Sequence, residues 1–233
     1  PDLIHFISLF EVWVDNAVTS IGTFARNIPT AVTLYDLIPL IHPIPYLEDG
    51  RVQAWYYRKI DHLRRADLLL SISESSRQEA IDYLGYAPDD VIAISTDADP
   101  EFVELSLEPS KEKEIRDRYG LDRPFVMYTG GIDHRKNIEG LSRGFSALPR
   151  ELRKQHQLAV VCSIQQESRS SLEKLAQESG LDVDELVLTG FVPESDLIAL
   201  YNICHLFIFP SWHEGFGLPA LEAMRCGAPV IAS

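Results

Sequence analysis

Hydrophobic positions along the chain form short apolar runs that alternate with stretches of helical period. In the first part, Pro1–Ser8, Thr30–Tyr35, Asp67–Ser73 and Val91–Ser95 read as strands. Glu11–Asn27 reads as a loop and helix, and Asp36 to Pro45 as a loop punctuated by prolines. Gly50–Ala66 has the period of an amphipathic helix, with Trp55 and Tyr56 as core anchors. Ser73 caps a further helix that ends at Gly85. An acidic stretch, Glu101–Glu114, then reads as a linker running into a short helix.

A second series follows. Strands are predicted at Phe125–Thr129, Leu158–Cys162, Leu186–Thr189, Leu206–Phe209 and from Val230. Helices are predicted at Ile138–Leu148, Ser168–Glu178 and Glu194–Ile203, with one more opened by Pro219 and stopped by Gly227. Strand and helix alternating throughout imply right-handed crossovers and parallel sheets. The expected fold is α/β with two Rossmann-like domains, residues 1–107 and 123–233, joined through 108–122. A ligand is expected between them, at the carboxyl ends of strands.

Composition narrows the partners. Of 233 residues, 45% are hydrophobic and 24% charged, an ordinary soluble balance, but the net charge is −14. That charge argues against nucleic acid and against anionic lipid as partners of this chain. It also makes basic residues beside glycine loops informative, because an anionic ligand needs positive charge concentrated locally. Cys162, Cys204 and Cys226 lie far apart in apolar contexts and read as reduced thiols rather than a disulfide framework or zinc site. No glycosylation sequon, signal peptide or long apolar run is present in the sequence, which points to the cytosol.

Two loops carry the candidate chemistry. Thr129-Gly-Gly-Ile-Asp-His-Arg-Lys-Asn137 places Gly130 and Gly131 after a strand and Arg135 and Lys136 before a helix. Fixed cations and helix N–H groups can hold and stabilise an anionic group such as a phosphate. Glu214-Gly-Phe-Gly-Leu-Pro-Ala-Leu-Glu222 follows the buried strand Leu206–Phe209. Gly215 and Gly217 let backbone approach a ligand, and helical geometry throughout would leave Glu214 and Glu222 roughly 80° apart on one side. Asp97-Ala98-Asp99 has the spacing of a divalent-metal chelate, but Pro100 follows at once and a turn is the expected reading.

The stretch from Glu214 to Ser233 resembles glycosyltransferase family 4, the retaining group with the GT-B fold, through its E-x7-E signature and Cys226-Gly-Ala-Pro-Val-Ile-Ala-Ser233. Gly130 to Asn137 is similar to that family's phosphate-contacting element, with Lys136 in the lysine position and Gly131 where many members have arginine. Thr189-Gly-Phe-Val-Pro193 resembles the loop that borders the nucleotide base. Tyr35-Asp36 stands where many relatives have His-Asp.

The resemblance implies a hexosyltransferase acting on a nucleotide diphosphate sugar, GDP- or UDP-linked, with no cofactor and no catalytic metal. Its acceptor would be a glycan or lipid-linked sugar in polysaccharide biosynthesis. Glu214 and Lys136 would serve catalysis. Gly130, Gly131, Arg135, Lys136, Phe191, Val192, Gly215, Phe216, Gly217, Leu218 and Glu222 would bind the donor. Tyr35 and Asp36 would lie on the acceptor and sugar side.

Family members extend beyond both ends of this sequence, so both domains are expected to be incomplete and the piece inactive alone. Any membrane contact, at the inner face, would come from parts outside this chain. A GT-B nucleotide-sugar epimerase and a non-catalytic nucleotide-sugar binding module are the rival readings.

Overall fold

The computed structural model describes residues 2–10, 20–22 and 27–233. Most of the loop and helix expected over Glu11–Asn27 lies outside the described residues. The chain divides into two compact units, Pro1–Thr96 with Glu214–Phe216, and Asp97–His213 with Gly217–Ser233.

The first unit contains β1 (Ile4–Phe6), β2 (Thr30–Leu34), α1 (Ile38–Ile41), α2 (Pro43–Tyr46), α3 (Gly50–Leu63), β3 (Leu68–Ser71), α4 (Glu74–Glu79) and β4 (Val91–Ala93). Its strands form one parallel sheet in the order β1-β2-β3-β4, with Ala31 opposite Leu68 and Leu69 opposite Val91. Val32, Leu34 and Leu69 meet Tyr56, Ile60 and Leu63 of α3 in a single core.

Asp49 caps α3 by accepting from the Arg51 and Val52 N–H groups, and Ser73 caps α4 by accepting from Ser76. From α4 the chain continues through a π-helical turn, Ala80–Leu84, to a left-handed Gly85. The prolines between Asp36 and Pro45 do not make a plain loop as expected. Pro39 and Pro43 stand in the first turns of α1 and α2, where a missing N–H costs nothing.

The second unit contains α5 (Pro109–Tyr119), β5 (Phe125–Thr129), α6 (Ile138–Ser146), α7 (Arg150–Arg153), β6 (Gln157–Val161), α8 (Gln166–Glu178), β7 (Leu186–Leu188), α9 (Glu194–Ile203), β8 (Leu206–Phe209), α10 (Leu218–Arg225) and β9 (Val230–Ala232). Its five strands are parallel, in the order β7-β6-β5-β8-β9. Successive residues of β5 face opposite sides. Phe125 and Met127 pack with Ile115, Tyr201, Phe207 and Ala223, while Val126 and Tyr128 pack with Ile138, Leu141, Phe145 and Ala176. Helices thus cover both faces, as the unbroken apolar runs require.

The division falls at Thr96–Asp97, ahead of the boundary expected at 107. Residues 97–108 are anchored in the second unit rather than loosely linking. Phe102 is buried edge-on against Tyr201 at 5.9 Å, the Leu105 N–H donates to Asn202 at 2.6 Å, and Arg225 pairs with Asp97 at 3.0 Å. All three cysteines are free thiols. Among the described residues no helix is long and apolar enough to cross a membrane.

Candidate functional site

The second sheet reverses its winding between β5 and β8. From β5 the chain moves outward to β6 and β7; from β8 it moves the other way to β9. These two strands are direct neighbours, with Val126 opposite Leu206 and Met127 opposite Phe207. The loops leaving their carboxyl ends open the crevice in which sheets of this type bind ligands.

Those loops are tied together. The Trp212 N–H donates to the Arg135 carbonyl at 2.9 Å, the Arg135 guanidinium to the His213 carbonyl at 3.2 Å, and the Asn137 amide to the Pro210 carbonyl at 3.2 Å. Asn137, in the left-handed region at φ 53°, also caps α6 through Gly140. Arg135 is further paired with Asp133 at 3.3 Å. Its guanidinium thus fastens the two loops at the place where the resemblance implies the donor phosphates.

Lys136 is the cation at the centre of this arrangement. Only 8% of it is exposed, and its ammonium lies 5.8 Å from the centre of the Phe209 ring. Gly130 has a φ of 138°, and a Cβ there would come within 2.9 Å of the Tyr128 hydroxyl and 4.0 Å of the Lys136 Nζ. Any larger residue would be strained and crowd the lysine. The two glycines thus clear the space into which Lys136 folds.

On the β8 side, Gly217 is left-handed at φ 100° and starts α10, with Leu218 first in the helix and Pro219 in its first turn. Its N-cap is a glycine, so the residue that opens α10 brings no side chain of its own to the positive end of the helix.

Glu222 is the fifth residue of α10, half-buried, and its Oε2 accepts from the Tyr201 hydroxyl at 2.9 Å. Burial pushes its pKa above the ordinary carboxylate value and Glu194 adds to the rise, against the opposing hydrogen bond from Tyr201. Tyr201 is fully buried in α9, and burial beside Glu222 holds its hydroxyl strongly protonated. Sequence reasoning missed Tyr201. Its only trace there is a tyrosine directly after the apolar run Leu197–Leu200, which must find a partner for its hydroxyl.

Glu214 does not share a helix with Glu222, so the angle expected from continuous helical geometry does not apply. Glu214, Gly215 and Phe216 belong to the first unit. There the Gly215 carbonyl accepts from the Ser73 hydroxyl at 2.5 Å and from the Ser76 hydroxyl at 3.2 Å. Ser76 also donates to the Tyr35 carbonyl at 2.7 Å. A Cβ on Gly215 would lie 2.5 Å from that carbonyl and 3.2 Å from the Asp36 Cβ. Tyr35 and Asp36 follow β2, Tyr35 with an exposed ring and Asp36 accepting from the Ile38 N–H at 3.0 Å. The structure thus groups Tyr35, Asp36 and the Glu214 segment, with Ser73 and Ser76 as their unforeseen fasteners.

Phe191 and Val192 follow β7, separated from β5 by β6. Phe191 is 76% exposed, and Val192 packs on the core. Asp97 is engaged by Arg225, and Asp99 accepts from the Glu101 N–H at 2.9 Å, the hydrogen bond of an Asx turn. Among the described residues no group of three or more His, Cys, Asp or Glu side chains could hold a metal ion.

The family model for glycosyl transferases group 1 matches residues 111–233, more than half of the chain. The chain belongs to this family. Family relatives include the serotype-specific mannosyltransferase WbdA of Escherichia coli, 40% identical over 235 residues, which cover 100% of this chain and 29% of WbdA. The O-antigen chain mannosyltransferase B of Escherichia coli is 31% identical over 209 residues, 89% of this chain and 54% of that protein. The chain thus spans less than a third of the first relative and about half of the second.

Among solved structures, the sucrose-phosphate synthase of Thermosynechococcus elongatus has a TM-score of 0.74 at 26% identity, covering 99% of this chain and 55% of its own. Anabaena HepE, solved in complex with UDP and glucose, has a TM-score of 0.76 at 22% identity, covering 99% and 59%, and speaks for the fold alone. The two parallel-sheet units of this family member are the Rossmann-like halves of the GT-B fold.

Proposed function

We propose that the chain carries the donor-handling part of a retaining glycosyltransferase that moves a hexose from a GDP- or UDP-sugar to a glycan or lipid-linked acceptor in polysaccharide biosynthesis. The observation that carries this reading is the buried Lys136 beneath Gly130 and Gly131, at the point where the second sheet reverses. On a chain of net charge −14, a cation enclosed by two glycine-bearing loops suits an anionic group. The names of the mannosyltransferase relatives favour mannose as the sugar.

In this reading the donor pyrophosphate rests on Lys136 and the N-terminus of α10, which supply the positive charge without a catalytic metal. Glu222 accepts from the ribose hydroxyls. The main chain near Phe191 and Val192 borders the base. Glu214, Tyr35 and Asp36 attend the sugar and the acceptor. The bond from the anomeric carbon to the phosphate oxygen breaks, and the nucleoside diphosphate leaves with the electron pair. The acceptor hydroxyl oxygen bonds to the same face while its proton passes to the departing diphosphate, retaining configuration. The enzyme works in the cytosol, where nucleotide sugars are drawn on.

Lys136→Ala tests the proposal. Losing one such electrostatic donor costs on the order of 3 kcal/mol, so transfer by the full-length protein should fall at least a hundredfold. Transfer within about threefold of the parent would remove Lys136 from the phosphates.

A further inference from the structure

A second feature of the same unit takes no part in that reading. Where α6 and α8 begin, beside the loop after β5, lies a cavity of about 530 Å3. Its described lining excludes Lys136, Gly130, Gly131, Gly217 and Glu222. The volume falls within the range of small-molecule sites.

The floor is apolar, made by buried Ile138 with half-buried Ile132 and Leu172. One wall is Trp212, which is 60% exposed and yet held. Its main chain is fixed by the hydrogen bond to Arg135, and its ring meets the His134 ring edge-on at 4.7 Å. An exposed indole already fixed in place offers a flat amphipathic face at little further entropic cost.

The rim is polar. Glu139 and Arg143 pair at 3.6 Å, placing acceptor and donor side by side. Ser168 and Ser171 add hydroxyls from the first turn and a half of α8. Adjacent hydroxyls on a sugar ring present the same alternation of donor and acceptor. The carboxylates of Asp133, Glu139 and Glu167 disfavour an anion, while Arg143 on the rim and Arg135 paired with Asp133 disfavour a cation.

From this cavity we infer a saccharide subsite that takes a neutral hexopyranose unit of a glycan, one ring face lying on the Trp212 indole. The inference goes beyond the transfer reading, because it requires binding alone.

Neutral manno- and gluco-oligosaccharides are titrated into the chain while the indole N–H resonance of Trp212 is followed, with calorimetry for affinity. One of the two series should shift the resonance saturably. Trp212→Ala should weaken binding by about three- to tenfold, the scale of an aromatic face contact, and Trp212→Phe should recover most of it. Trp212 is exposed, so neither variant threatens the fold. The inference is overturned by the lack of a saturable shift or by unchanged affinity in Trp212→Ala. Tighter binding of choline than of either sugar series would overturn it too, marking a cation site. Titration with UDP and GDP reads the nucleotide site separately, so either reading can fail without the other.

Discussion

Glu222 is set between opposing influences, and the balance gives a sign to its pH dependence. Burial raises its pKa most, Glu194 raises it further, and the Tyr201 hydroxyl lowers it; the net shift is upward from 4.5. A carboxyl with a raised folded pKa binds its proton more tightly in the folded state. Its stabilising contribution is complete below pH 4.5 and is lost as pH rises through the folded value. Glu222→Gln leaves Tyr201 an acceptor and removes that loss. The empty variant should therefore melt no lower than the parent at neutral pH, with the advantage vanishing in acid. Nucleotide binding should move the other way. Ribose hydroxyls donate to the ionised carboxylate, and such bonds contribute roughly 1.5–3 kcal/mol, about 10- to 150-fold in affinity. The parent's affinity for the nucleoside diphosphate should rise with pH across the Glu222 titration, while the variant stays weak and flat. Glu214→Gln should spare nucleotide affinity and lower the transfer rate, the pattern of a contact made mainly in the transition state. Calorimetry beside turnover on full-length protein decides both; equal loss of nucleotide in the two variants would sink the division of roles.

At the scale of elements, the loop around Gly215 is set by backbone contact. An alanine Cβ at 2.5 Å from the Tyr35 carbonyl cannot be accommodated by rotating a side chain, because the obstacle is main chain. Gly215→Ala should cost about 1–3 kcal/mol through forced displacement. Gly50→Ala is its control. Gly50 opens α3 with nothing within 4 Å of the added carbon, so that change should be neutral or stabilise by up to about 1 kcal/mol. Urea denaturation compares the pair, and equal effects would show that the Tyr35 contact yields freely. Elements whose apolar runs carry clear punctuation were readable from sequence: β5, α9 and β8 occupy the residues expected. The prolines from 39 to 45 misled because proline ends a helix in its interior but suits a first turn. The acidic run after Asp97 misled because one buried Phe102 outweighs a polar neighbourhood. Lys136 and Glu222 stand out in the sequence through their spacing from glycines, and the structure buries the first and half-buries the second. Tyr201 under Glu222, and Ser73 and Ser76 under Gly215, do not stand out, since contacts spanning 21 and up to 142 residues leave no periodic trace.

Over the whole molecule, apolar burial is partitioned. One core joins residues from Leu9 to Val91, and two others, on opposite faces of the second sheet, join residues from Phe102 to Ala228. Among the described residues, none is shared between the first core and the others. Each unit therefore has its own cooperative source of stability, and a ligand acts on the unit whose folded form it binds. Lys136, Glu222 and the start of α10 all lie in the second unit. A nucleoside diphosphate at about 100 times its Kd adds about 2.7 kcal/mol to the folded form that binds it. Hydrogen exchange with and without UDP or GDP should show slowed exchange through β5, β6, β8 and α10, since opening any of these dismantles the seat. The amides of β2, β3 and α3 should change far less, because their exchange is governed by the separate core around Val32, Ile60 and Leu69. Equal slowing in both units would mean that they open together and that the partition of the cores does not govern unfolding. Slowing confined to the first unit would remove the nucleotide from Lys136 altogether.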